Sequence, residues 1–166
     1  MQDLLLYHRN INPPPEIHSF LKNNIERSEL YDTNQEFYTS YPRYEICSDI
    51  KPFYDTVIKR ALFDLTISFA NFKQYIWCQI YKPTGRSYHG EHNHWGTTEL
   101  SWVHFIKTPD KACFSFKNGQ SPPQNDGDFI IFPSWVVHGI SSFTEDCDRM
   151  VVVGNVELKN ALYKSS

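Results

Sequence analysis

The sequence lacks the features that mark a nucleic-acid binder, a membrane protein or a dithiol redox protein. Its net charge is −3, and its 16 Lys and Arg residues form no cluster. No surface is therefore set up to release counterions from phosphates, and nucleic acid is not expected as a partner. No long apolar run occurs either. Leu4-Leu5-Leu6 gives way at once to polar residues, which is too short for a signal-peptide core or a membrane span, so the expected location is the cytoplasm. The cysteines, at 47, 78, 113 and 147, include no Cys-x-x-Cys pair, which excludes a zinc knuckle and a thioredoxin-like motif. Disulfides are not expected in that compartment, and Cys78 and Cys113, set in apolar strand patterns, read as core thiols. Internal repeats, low-complexity segments and β-α-β alternation are also absent.

What is present suits one globular domain over residues 1–166. The apolar share of 40% and charged share of 21% are ordinary, while 16% aromatic residues favour a strand-rich fold with rings between sheets. After the stiff run Asn12-Pro13-Pro14-Pro15, residues Ile17, Phe20 and Leu21 carry helical spacing from Glu16 to Asn24. An edge strand is expected at Arg43 to Cys47. A longer helix is expected from a cap at Ser48 or Asp49, with Pro52 in its first turn. Its apolar periodicity runs through Ile50, Phe53, Val57, Ile58, Ala61, Leu62, Leu65 and Phe69, about five turns.

Strands then follow one another, at Gln74 to Tyr81, Leu100 to Lys107, Ala112 to Lys117, Asp128 to Phe132, Trp135 to Ile140 and Arg149 to Val156. Pro, Gly, Asn and Asp clusters separate them. Helices first and strands afterwards argue for an antiparallel sandwich or barrel backed by helices. Residues 1–72 supply helical support and the edge strand, and residues 73–158 the β core.

The densest chemical signal is Tyr88-His89-Gly90-Glu91-His92-Asn93-His94. In an extended strand alternate side chains share a face, so His92 and His94 can aim two imidazoles at one ion. His138, 44 residues after His94, opens a later strand and can complete a three-imidazole set at the mouth of a small barrel. Three imidazoles buried without a partner would each carry a desolvation cost, which favours a metal over plain packing. His8, His18 and His104 read as ordinary hydrogen-bonded histidines, with His104 the one nearest the proposed site. Asp128, after Asp126-Gly127, reads as a turn former. Trp95, Trp102 and Trp135 read as packing residues.

The order His92-Asn93-His94, Leu100-Ser101-Trp102-Val103, Gly127-Asp128 with Phe132-Pro133-Ser134, and Asp148-Arg149 resembles the 2-oxoglutarate/Fe(II)-dependent oxygenases. More narrowly it is similar to their prolyl-4-hydroxylase-like branch in marine bacteria and phages. The resemblance spans about residues 74 to 156. It implies a double-stranded β-helix, or jelly roll, with Fe(II) at its open end and 2-oxoglutarate and O2 as cosubstrates. Decarboxylation of 2-oxoglutarate would be coupled to C–H hydroxylation of a peptide or small molecule, in the host cytoplasm if the chain is phage-encoded. On this resemblance His92, His94 and His138 hold the metal. Arg149 anchors the far carboxylate of 2-oxoglutarate, and Tyr81 hydrogen-bonds the same tail. Phe105 stands where relatives carry a second tyrosine, with Ser101 as its replacement. Without the resemblance, Arg149 reads as a surface arginine paired with Asp146 or Asp148.

His94 stands where such enzymes carry a carboxylate, so Glu91, in the literal His-x-Glu of His89-Gly90-Glu91, and Glu99 are the other candidates to complete the site. Glu99 also admits a second resemblance. His92-x-His94-(x)4-Glu99 with Gly127-(x)5-Pro133-(x)4-His138 is similar to the metallo-cupins, which would hold metal but ignore 2-oxoglutarate; a non-catalytic jelly-roll binding module is the third reading.

Overall fold

The computed structural model describes residues 4–68, 71–96, 98–145 and 147–159. Phe69 of the helical pattern and Asp146 lie outside them. In chain order the elements are β1 (Tyr7–Asn10), α1 (Ile17–Asn24), β2 (Tyr31–Asp32), β3 (Phe37–Thr39), α2 (Lys51–Asp64) and β4 (Asn71–Tyr81). The others are β5 (His89–His92), β6 (Leu100–Lys107), β7 (Phe114–Phe116), β8 (Asp128–Pro133), β9 (His138–Ile140) and β10 (Arg149–Lys159). All pairings are antiparallel. A seven-stranded sheet runs β1-β8-β6-β10-β4-β3-β2, and a three-stranded sheet runs β5-β9-β7. The fold is a jelly roll, mainly β, with α1 and α2 supporting the large sheet.

Side-chain alternation in the central strands divides the interior. On β10, Met150, Val152 and Val156 join Ile17, Leu21, Tyr54, Ile58 and Leu62 in one cluster beneath the helices. Val151 and Val153 point the other way, into a second cluster with Phe105, Ile130, Phe132, Phe114 and Ile140 between the two sheets. Because both faces are covered, β6, β8 and β10 read as nearly continuous apolar runs. The large sheet therefore has a structural face and a face that can line a site.

His104 falls on the structural face. Its Nδ1 lies 2.8 Å from the Tyr54 hydroxyl and its Nε2 lies 3.0 Å from the Ile11 carbonyl. It ties α2 to the sheet and has no place in the metal site. Asp128 is the turn former expected, taking the Asn125 N–H at 2.8 Å and facing His8 at 2.9 Å.

Several local expectations are corrected. Tyr44 to Cys47 is one 3-10 turn, not an edge strand. The chain leaves the sheet at Ser40, whose N–H donates to Cys78 O and whose Oγ accepts Cys78 N–H, so Phe37–Thr39 takes the edge beside β4. Helix α2 begins at Lys51 with no side-chain cap and ends at Asp64. It stops because Thr66 takes φ +55° while Ile67 N–H bonds Leu62 O and Thr66 N–H bonds Phe63 O, a Schellman termination that uses up the last carbonyls. The N-terminal segment supplies three strands, β1, β2 and β3, and not helical support alone. Trp135 precedes β9, which begins at His138. Trp102 is buried as expected, but Trp95 and Trp135 are exposed. No helix among the described residues is long and apolar enough to cross a membrane.

Gly154 is required by a close approach. A Cβ there would lie 2.6 Å from the Trp102 ring, which is fully buried and stacked on Tyr54 at 4.9 Å. Gly154→Ala is expected to lower stability by about 1–3 kcal/mol and Tm by roughly 2–10 °C, measured by thermal unfolding. An unchanged Tm would show that the indole can move aside without cost.

Candidate metal centre

Antiparallel pairing of β5 with β9 sets His92 directly opposite His138. The strand stops at His92, so His94 does not reach the site by strand alternation as expected. It is placed instead by a turn whose backbone is pinned, with His94 N–H donating to Ser134 O at 2.8 Å. Ring centroids are 4.4 Å apart for His92 and His138, 5.1 Å for His92 and His94, and 5.4 Å for His94 and His138. One nitrogen from each ring lies within 4.8 Å of the others, a spacing that suits three ligands on one face of an ion.

The outer contacts set the tautomers. His92 Nδ1 lies 2.8 Å from Gly90 O and His138 Nδ1 lies 3.0 Å from Val136 O. Each Nδ1 therefore carries the proton and leaves Nε2 as the free lone pair, as in histidine metal ligands whose other nitrogen is anchored to backbone. Phe132 and Phe114 pack on the His138 ring at 5.0 and 5.6 Å and keep water from that side.

A fourth histidine joins the group. His89 stacks on His92 at 4.2 Å with 22° between the planes, and its Nδ1 lies 3.2 Å from the Tyr81 hydroxyl. Its signal in the sequence was the His89-Gly90-Glu91 pattern, of which the histidine lies in the cluster and the glutamate does not. Neither carboxylate candidate completes the set. Glu91 faces outward toward Lys117 at 3.6 Å, and Glu99 accepts the Leu158 N–H at 2.8 Å. With Glu99 engaged there, the cupin ligand set is not assembled.

Arg149 is the other pole of the site. It is 1% exposed, so the surface ion pair is excluded; Asp148 pairs with Lys22 and Lys82 instead. Its guanidinium carbon lies 5.0 Å from the Tyr81 ring and 5.5 Å from the Phe105 ring. Nε and Nη1 are buried with no hydrogen-bond partner among the described residues. Tyr81, opposite Arg149 in the register, is fully buried, which pushes its hydroxyl well above the usual range. That hydroxyl donates to Gln79 Oε1 at 2.9 Å and stays protonated.

Histidines 89, 92, 94 and 138 share with Arg149 a cavity of about 400 Å³, counting its open mouth. Ser101 lines the same cavity at the end away from Arg149. It pairs with Asn155 across β6 and β10, six residues and roughly 20 Å along the strand from Arg149. Its Oγ donates to Asn155 Oδ1 at 2.8 Å and lies 3.0 Å from Ser134 Oγ. Ser101 and Arg149 therefore line opposite ends of the cavity. Outside the mouth, a groove past Thr39, Tyr41 and Asp32 leads to His89, His92 and His94.

No family model matches the chain, and no curated protein sequence does. Solved structures do. A Pseudomonas putida prolyl-4-hydroxylase superposes with a TM-score of 0.63 at 14% identity, covering 92% of both chains. An oxidoreductase of the 2OG-Fe(II) oxygenase family from Burkholderia pseudomallei gives 0.61 at 15%, covering 87% of this chain and 80% of that one. SnoN, a non-heme alpha-ketoglutarate-dependent epimerase from nogalamycin biosynthesis, gives 0.62 at 12%, covering 90% and 76%. The fold is that of the 2OG-Fe(II) oxygenases. Within it, the histidine cluster lies where β5 meets β9 and Arg149 begins the last strand.

Burial, with the neighbouring rings adding repulsion, pulls the histidines down from the ordinary 6.5, His89 and His138 to about 3 and His94 to about 4. Burial also lowers His92. The unfolded chain then binds more protons than the folded one whenever the pH lies between those values and 6.5. The metal-free protein is expected to be most stable above about pH 7 and to lose Tm steadily as pH falls toward 4. Zn(II) at neutral pH should raise Tm, since only the folded chain gathers the three lone pairs. A Tm that holds or rises between pH 7 and 4 would contradict the burial of neutral imidazoles.

Proposed function

We propose that the protein is a 2-oxoglutarate- and Fe(II)-dependent oxygenase, a hydroxylase acting on a peptide or small molecule. His92, His94 and His138 hold the iron, and Arg149 with Tyr81 receives the far carboxylate of 2-oxoglutarate. The observation that carries this reading is the buried Arg149 guanidinium, with two nitrogens unpartnered, in one cavity with three converging imidazole nitrogens. A buried charge without a counter-charge is strongly unfavourable, and a carboxylate entering that cavity removes the penalty. Imidazole nitrogens suit iron as well as other first-row divalent ions. Bound there, the iron and its cosubstrate supply an oxidant made from O2, with succinate and CO2 released and a substrate C–H bond converted to C–OH.

The chain's own residues bind, orient and shield. The carbonyls of Gly90 and Val136 hold the His92 and His138 rings with Nε2 inward. Arg149 supplies a charge-assisted contact that sets which end of the cosubstrate goes deep. Tyr81 stays protonated, and its hydroxyl would turn from Gln79 Oε1 to donate there, while the Phe105, Phe114 and Phe132 rings exclude water. The groove past Tyr41 and Asp32 is the approach for substrate.

The expected outcome is succinate release from 2-oxoglutarate in the presence of Fe(II) and ascorbate. Arg149→Ala should raise the Kd for 2-oxoglutarate at least about 30-fold, from a loss of ~2 kcal/mol or more, with metal content unchanged; His138→Ala should lose the metal. Calorimetric titration of the wild type and Arg149→Ala checks the assignment, and equal affinities in the two proteins would overturn it.

A further inference from the structure

The cavity lacks negative charge. Among the described residues that line it there is no aspartate or glutamate, and the only ion is Arg149. Histidine binds metal as the neutral imidazole, so His92, His94 and His138 leave the full dipositive charge on the metal, where a carboxylate at position 94 would cancel half of it. The dication and Arg149 together bring three positive charges, and 2-oxoglutarate, with its two carboxylates, cancels two. One positive charge is left over in an enclosed site, where such an excess is strongly disfavoured.

The same cavity has a polar seat at the end away from Arg149. Asn155 is 8% exposed and interrupts the apolar face of β10 formed by Val151 and Val153. Its Oδ1 is held by the Ser101 hydroxyl, which leaves Nδ2, with no hydrogen-bond partner among the described residues, as the free end of the amide. Ser134, whose Oγ lies 3.0 Å from both Ser101 Oγ and Thr98 Oγ1, also fixes the His94 backbone. With those hydroxyl protons committed to one another and to Asn155, the amide N–H is the donor left at the end of the cavity away from Arg149.

We propose that the substrate is a small monoanion, a carboxylate-bearing compound seated on the Asn155 amide, whose charge stands in for the carboxylate absent at position 94. The inference rests on the oxygenase reading above and adds the substrate class to it. Asn155 is a specificity-determining residue in this account, and Ser101 holds its amide in place.

The test uses the full chain loaded with Co(II), whose visible spectrum reports on the site without turnover. The Kd for 2-oxoglutarate is measured first. Acetate and its neutral isostere acetamide are then titrated into the 2-oxoglutarate-saturated protein, following the spectrum and Tm. Acetate is expected to bind at least about tenfold more tightly than acetamide. Asn155→Ala should weaken acetate by a similar factor, and so should His94→Asp, which supplies the charge within the protein. Acetate and acetamide binding alike, or acetate binding unaffected by both substitutions, overturns the anionic-substrate inference even if 2-oxoglutarate binds normally. Failure of 2-oxoglutarate to bind in the first titration overturns the oxygenase reading instead.

Discussion

The pairing of His92 with His138 across β5 and β9 is the contact on which the site depends. It joins segments 46 residues apart, and it exists because the small sheet closes over one face of the large one. The aromatic cluster between the sheets, with Phe105, Phe114, Phe116 and Phe132 at its centre, holds that closure. The rings that pack the core are thus the rings that press on His138. Stability and site geometry are set by the same contacts, so a cavity opened at Phe114 or Phe132 would loosen a metal ligand as well as the core.

The electrostatics follow from this closure. Enclosure lowers the affinity of the histidines for protons and leaves lone pairs available. It also buries Arg149 with Nε and Nη1 unpartnered among the described residues, a costly arrangement for a charged group. Between these poles the β10 face is apolar, Val151 and Val153, with a polar residue at each end, Arg149 and Asn155. Alternation along one strand therefore spaces a buried guanidinium, an apolar stretch and a hydrogen-bonded amide along one face.

The opposite face of the large sheet serves a different purpose. There Tyr54 and His104 link α2 to β6, and Trp102 occupies the space that Gly154 leaves open. His104 and Ser101 are three residues apart, yet they end on opposite faces because strand side chains alternate. One is structural and the other lines the cavity.

Much of the fold was legible because its signals are local. The period of α1 and of the first part of α2, the run Leu100 to Lys107, and the Gly127-Asp128 turn into a strand depend on neighbours in sequence. The His92, His94 and His138 set was legible because an imidazole density of that kind has few structural uses. The end of α2 at a Schellman turn, the 3-10 turn at Tyr44 to Cys47, the short strands β1, β2 and β3 and the end of β5 at His92 were not, since each is decided by which distant strand offers a hydrogen-bonding edge. The same holds for Glu91 and Glu99, placed at plausible spacing but committed to Lys117 and to the Leu158 amide. By itself the sequence determined which residue types face inward along each strand, through the period of two. Only the tertiary structure decided that His89 joins the cluster, that Arg149 is buried without a counter-ion and that Ser101 lies at the far end from it, because those depend on register between strands, which the hydrogen-bonded partner sets.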